Sequence, residues 1–182
     1  MQKIYIFVFI INEICYLCTS LHINNSLIEN RTTYYPLKMT KYNITEKRGN
    51  VARYSTLVGA EMMEHLRKKI LERIVIDQKY RDKDYSAKQL AIDIDTNTRY
   101  VSAVISVKFH TNYTTFVNQL RISDAMALLI DKRYEDKTME EIGDMVGFSN
   151  RQSFYASFYK ITGMSPRAFR IENEKRLRNN DK

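Results

Sequence analysis

From Glu61 onward the chain repeats its apolar residues every three to four positions. Leu66, Ile70 and Ile74, with Leu71 and Val75, fall on one face, while Arg67, Lys68, Glu72 and Arg73 fall elsewhere. That period predicts an amphipathic α-helix. Residues 82–85 break it with charge, and Ser86 then stands as N-cap of a short helix carrying Leu90 and Ala91. A turn at Asp95, Thr96 and Asn97 leads into a third helix with Val101, Val104, Ile105 and Phe109 inward. A long helix follows from about Tyr113, its apolar side built from Phe116, Val117, Leu120, Ala125, Leu128 and Leu129. After the polar stretch 132–137 the scheme restarts. Thr138 with Glu141 three residues on is a capping-box pattern. The helix it opens runs through Ile142, Met145 and Val146 and stops at Gly147. Ser149 and Asn150 cap the next, which holds Phe154, Phe158 and Ile161. Gly163 suits the left-handed position that ends it, and Ser165-Pro166 opens a last helix with Ala168, Phe169 and Ile171.

The two halves repeat. Thr96-Asn97 and Ser149-Asn150 lie 53 positions apart, as do Val101 and Phe154, and Ile105 and Phe158. Leu90-Ala91 and Ile142-Gly143 are offset by 52, so the second turn is one residue longer. A short helix, a tight turn and a capped second helix make the sequence form of a helix-turn-helix, and it occurs twice.

Composition narrows the partner. The chain of 182 residues carries 29 Lys+Arg against 21 Asp+Glu, a formal charge of +8, which favours an anionic partner such as nucleic acid or a lipid surface. Residues 51–182 hold 23 of the cations and 18 of the carboxylates, so most of the excess belongs to the periodic body. Only 5 Gly and 2 Pro punctuate the chain, too few for a sandwich or barrel, and the expected fold class is all-α. Two Cys and three scattered His (His22, His65, His110) disfavour a disulfide framework, a metal site or His-dependent catalysis. No phosphate-binding glycine loop, zinc-protease helix or nucleophile elbow is present, so an enzyme is the weakest class. No catalytic residue, metal or cofactor is expected.

These residues resemble the DNA-binding domain of the AraC/XylS family of bacterial transcription regulators. The second half carries more of the likeness: the Gly147-Phe148-Ser149 turn, Phe154 and Phe158 four apart, Thr162-Gly163-Met164-Ser165-Pro166, and the closing Phe169-Arg170. The first half matches through Leu90-Ala91, Arg99-Tyr100-Val101-Ser102, Asn112-Tyr113, Arg121-Ile122, Ala125 and Leu128-Leu129. Together they cover roughly residues 70 to 172. Five positions depart from the family pattern, Ser157 among them, where a small apolar residue is usual. Gly143 replaces the usual Ala, weakening its helix by about 1 kcal/mol. His110 stands where a helix-ending Gly is usual, Asp95 replaces Gly in the first turn, and Ala156 lies where many members place Arg.

The resemblance implies two helix-turn-helix subdomains, about 86–109 and about 138–162, joined by a rigid linker helix of about 113–132, with a last helix at about 165–177. That is about seven helices in a DNA-binding domain spanning 60–182. Two recognition helices on one linker would reach successive major-groove segments, about 34 Å apart, on one face of double-stranded DNA. On a helical wheel of the second, Phe154, Phe158 and Ile161 oppose Arg151, Gln152, Tyr155, Ala156 and Tyr159. Arg151 is suited to guanine and Gln152 to adenine, each pair contributing roughly 1–3 kcal/mol of discrimination. Lys160, Ser153 and Tyr159 suit phosphate, and Asn150 completes the face. In the first helix Arg99, Ser102, Ala103 and Ser106 face away from the packed Val101, Val104 and Ile105, with Asn97 and Thr98 at its start. One charge among small residues predicts weaker base readout there. Other DNA-binding uses remain open at this point, including an architectural or protein-interaction regulator with little readout.

Residues 1–59 read as an extension. Positions 4–11 are continuously apolar, too short for a bilayer span of about 20 residues but matching the core of a signal peptide. Cys15 and Cys18 have CxxC spacing without a second pair. The favoured reading is a frayed extension or a start upstream of the native one, with Met39 the next candidate; a membrane-tethered form is the lesser expectation. About 60 irregular residues are too few for a small-molecule effector domain, so none is expected. The expected setting is the bacterial cytoplasm, at the nucleoid, with RNA polymerase or another regulator as protein partner.

Overall fold

The computed structural model describes the backbone of residues 59–180 and the side chains of residues 59–175. The expectations for positions 4–11, for Cys15 and Cys18 and for a start at Met39 lie outside the described residues. Among the described residues there are seven α-helices and no strand. They are α1 (Ala60–Leu71), α2 (Ala87–Asp93), α3 (Thr98–Phe109), α4 (Tyr113–Ile130), α5 (Met139–Met145), α6 (Arg151–Thr162) and α7 (Pro166–Asn180). The π-helical turn Glu72–Ile76 prolongs α1, and single 3-10 turns stand at Lys79–Arg81 and Lys132–Tyr134.

The sequence repeat becomes a repeat of helix boundaries. Helices α2 and α5 both have 7 residues and α3 and α6 both have 12. Each start is fixed by a side-chain oxygen that accepts an otherwise unpaired backbone N–H. Ser86 and Thr138 cap α2 and α5, Asn97 and Asn150 cap α3 and α6, and Asn112 and Ser165 open α4 and α7. Glu141 closes the capping box by accepting the Thr138 N–H at 2.8 Å. The stops repeat as well. Asp95 and Gly147 turn left-handed after the short helices, and His110 and Gly163 after the long ones. Asp95 and His110 therefore perform the turn expected of glycine, both at φ 53°.

Helix α4 is the organising element: α3, α5, α6, α7 and the Lys79–Arg81 turn all pack against it. Its buried side is Phe116, Val117, Ile122, Asp124, Ala125, Met126 and Leu129, whereas Leu120 and Leu128 are only half-buried. The expected stripe is thus rotated, because the helix is covered on several sides. Two cores result. Val101, Val104, Ile105, Leu90, Ile70 and Ile74 are fully buried around the first repeat, and Phe154, Phe158 and Ile142 around the second. The Phe154 ring sits edge-on to Phe158, with centroids 5.7 Å apart, and Phe158 in turn to Phe169 of α7. Edge-to-face geometry of this kind adds to plain area burial.

Residues 77–85 form a strap across α4. Asp124, almost completely buried, accepts hydrogen bonds from the Tyr80 hydroxyl at 3.0 Å and Arg81 Nε at 2.7 Å. Arg121 donates to the Tyr80 and Asp82 carbonyls and lies over the Phe148 ring. Beyond the strap, Lys83 pairs with Asp144 of α5 at 2.8 Å. The segment ahead of the first repeat is thereby fixed to the second.

Candidate nucleic-acid interface

Helices α3 and α6, the second helices of the two repeats, present different chemistry on equivalent faces. In α6 the inward residues Phe154 and Phe158 are fully buried, while Arg151, Gln152, Ser153, Ala156, Tyr159 and Lys160 are exposed. Tyr159 is 64% exposed, far more than an aromatic ring with a packing role. Arg151, first residue of the helix, lies 5.0 Å over the half-buried Tyr155 ring. A guanidinium held on an aromatic face keeps its N–H edge free for a planar acceptor. Asn150 is exposed and already engaged, its side-chain oxygen accepting the Ser153 N–H at 2.8 Å.

In α3 the corresponding face is Thr98, Arg99 and Ser102, all exposed, with Ser106 half-buried. Asn97 is an exposed cap, its oxygen accepting the Tyr100 N–H at 2.9 Å. Ala103 departs from expectation. It is fully buried and cannot touch a ligand. Its wheel position lies away from Val101 and Val104, but α3 is packed by α1, α2 and α4, and so loses more of its circumference than a single stripe. Lys108 of α3 is tied to Glu64 of α1 at 3.3 Å, so the α1 side carries charge as well as apolar contact. The Glu64 carboxyl is held below its usual range, chiefly by a hydrogen bond from Arg67.

Sequence reasoning missed the supports of these faces. Arg170 donates to the Glu135 and Lys137 carbonyls and to that of Tyr134, fixing the turn ahead of α5. Gly143 admits Phe154, since a Cβ there would stand 3.1 Å from two ring atoms. Beside α6 a cleft of about 550 Å³ opens among α5, α6 and α7, lined in part by Lys137, Arg151, Tyr155, Arg167 and Arg170. Among the described residues no group of His, Cys, Asp and Glu is arranged to hold a metal ion, and no helix is long and apolar enough to cross a membrane.

Comparison with known proteins agrees with this geometry. Residues 90–171 match the family model described as a helix-turn-helix domain. The Melibiose operon regulatory protein of Escherichia coli is 23% identical over 141 residues, covering 78% of this chain and 42% of that protein. The chain therefore spans less than half the length of that relative. Two solved structures share the fold. The C-terminal domain of the response regulator yesN from Fusobacterium nucleatum superposes with a TM-score of 0.50 at 24% identity, over 57% of this chain and 98% of that one. The C-terminal domain of AraT, a response regulator from Geobacillus stearothermophilus, gives 0.52 at 20% identity, over 59% and 84%. The doubled capped helices, their opposed buried and polar faces and the single linker helix are the arrangement that the match describes, and residues 90–171 are a helix-turn-helix domain.

Proposed function

We propose that the chain is a sequence-specific transcription regulator whose two recognition helices enter successive major-groove segments of one DNA site. The observation that carries this is the pair of 12-residue helices α3 and α6, each with one buried and one polar exposed face, both packed on α4. Residues 60–182 are the DNA-binding unit. In α6, Arg151 and Gln152 read bases, with Tyr155 and Tyr159 against the groove wall and Asn150, Ser153, Ala156 and Lys160 along the backbone side. In α3, Asn97, Thr98, Arg99, Ser102 and Ser106 make the weaker contacts. The protein acts without catalysis, in the bacterial cytoplasm, through RNA polymerase or another regulator. The operon regulator among its relatives supports this reading.

Selection on randomised duplexes with the full chain, at near-physiological salt where charge alone counts for less, tests it. Two enriched blocks about one helical turn apart are expected. Binding with no enriched sequence would replace this reading with an architectural one, which the single cation on the α3 face favours.

A further inference from the structure

The cleft beside α6 joins three elements that have no common place in the sequence pattern. Lys137 stands just ahead of α5, Arg151 opens α6, and Arg167 is the second residue of α7. Glu140 is the one carboxylate on the lining, against four cations when Arg170 is counted. Two of the four are committed. Lys137 pairs with Glu141 at 3.0 Å, and Arg170 is spent on the carbonyls of 134–137. Arg151 is stacked on Tyr155. Arg167 is exposed, and its side chain makes no ion pair or hydrogen bond among the described residues.

With Lys137 paired to Glu141, three arginines still share this concave surface with one carboxylate, Glu140, a positive surplus that favours a bound anion. The position of the cleft says which anion. Arg151 belongs both to its lining and to the exposed face of α6. The walls of a major groove are sugar-phosphate backbone, so a helix lying in the groove by its N-terminal residues brings its flanks against phosphates. Resting on the proposed DNA contact by α6, we infer that the cleft seats a backbone phosphate of the bound duplex, and that Arg167 of α7 is the residue that contacts it. The last helix, outside both helix-turn-helix units, then anchors the register of the second one. Arg151 reads a base from the rim of the same cleft, so the two arginines divide position and sequence between them.

The test compares the full chain with Arg167→Ala and Lys68→Ala on two duplexes, a selected site and an unrelated one, across a salt series. Lys68 is an exposed cation on α1, which packs on α3, and it controls for the loss of one charge anywhere on the protein. Arg167→Ala is expected to weaken both duplexes by the same factor and to make the salt slope shallower by about 1, as one lost phosphate contact requires. Lys68→Ala should leave the slope unchanged. An unchanged slope in Arg167→Ala overturns the seat while leaving the DNA-binding reading intact, and so does an equal change in both variants. Loss confined to the selected site would make Arg167 a base reader and overturn it too. Failure of the wild-type chain to bind either duplex would remove both readings together.

Discussion

Gly147 is held in place by a neighbour as much as by its own turn. Its φ is 95°, and a Cβ built there would collide with the Arg81 carbonyl oxygen in the strap. A left-handed alanine costs about 1–2 kcal/mol before any collision, and backbone cannot swing aside as a side chain can. Gly147→Ala is therefore expected to destabilise by about 3 kcal/mol, read as a lower urea midpoint at unchanged slope. Gly143 is the contrast. A Cβ there meets the Phe154 ring at 3.1 Å, and the helical propensity of alanine returns about 1 kcal/mol, so Gly143→Ala should cost well under half as much. Equal midpoints for the two variants would mean that the strap yields. The sequence made Gly147 legible as a helix stop, because the left-handed requirement is local. It could not show Arg81 pressed against it, because that contact joins residues 66 positions apart. Ala103 misled for a related reason: a small residue on an apparently free face reads as exposed until a third helix covers it. Asp124 gave no signal in the sequence, since a carboxylate in an amphipathic helix looks like solvent-facing charge unless its partners, Tyr80 and Arg81, are known.

At the scale of elements, short helices depend on their ends and long ones on their neighbours. Helix α5 has 7 residues, too few to persist without its cap and its packing. Hydrogen bonds to Glu141, first from the Thr138 backbone N–H and then from Lys137 and the Thr138 hydroxyl, hold its carboxyl down at about 2 against an ordinary 4.5. A depressed carboxyl pKa stabilises the folded form fully above the unfolded value and loses that support as pH falls through the folded one. Amide protection at the start of α5 should accordingly decline between about pH 4.5 and 2, and Glu141→Gln should remove most of that dependence. The strap offers a second comparison. Asp124 is 3% exposed and binds two partners, so Asp124→Ala leaves Arg81 without its counter-ion and Tyr80 without its acceptor, at a cost of about 3 kcal/mol. Lys83 and Asp144 are 41% and 56% exposed, and breaking their pair should cost less than about 1 kcal/mol. Thermal unfolding of Asp124→Ala and Lys83→Ala orders the two. If Lys83→Ala proves the worse, the strap is held from α5 rather than from α4. Caps and stops were legible here because each is a few residues long. The strap was not, since the charged break at 82–85 carries no sign of what it covers.

On the scale of the whole molecule, the spacing of the recognition helices follows from what fixes them. Both repeats pack on α4, whose 18 residues span about 27 Å, and the strap ties the segment before α2 to α4 and α5. A pair of readers on a flexible tether would tolerate changed spacing between their two DNA blocks, because the tether adapts at little cost. A pair fixed on one helix cannot. Adding one base pair between the blocks moves the second about 3.4 Å along the axis and turns it by roughly a tenth of a helical turn, a misfit no exposed side chain of α3 or α6 can span with its bonds intact. Affinity for a selected site should therefore fall with a single inserted or deleted base pair toward that of one block alone. An insertion of 10 base pairs should not restore it, although it returns both blocks to the same face. A dimeric regulator with a mobile connection would recover at 10. Titrating these four duplexes against the full chain measures the rigidity of the linker directly. Because α3 offers fewer contacts than α6, the block that survives the change of spacing should be the one that Arg151→Ala degrades.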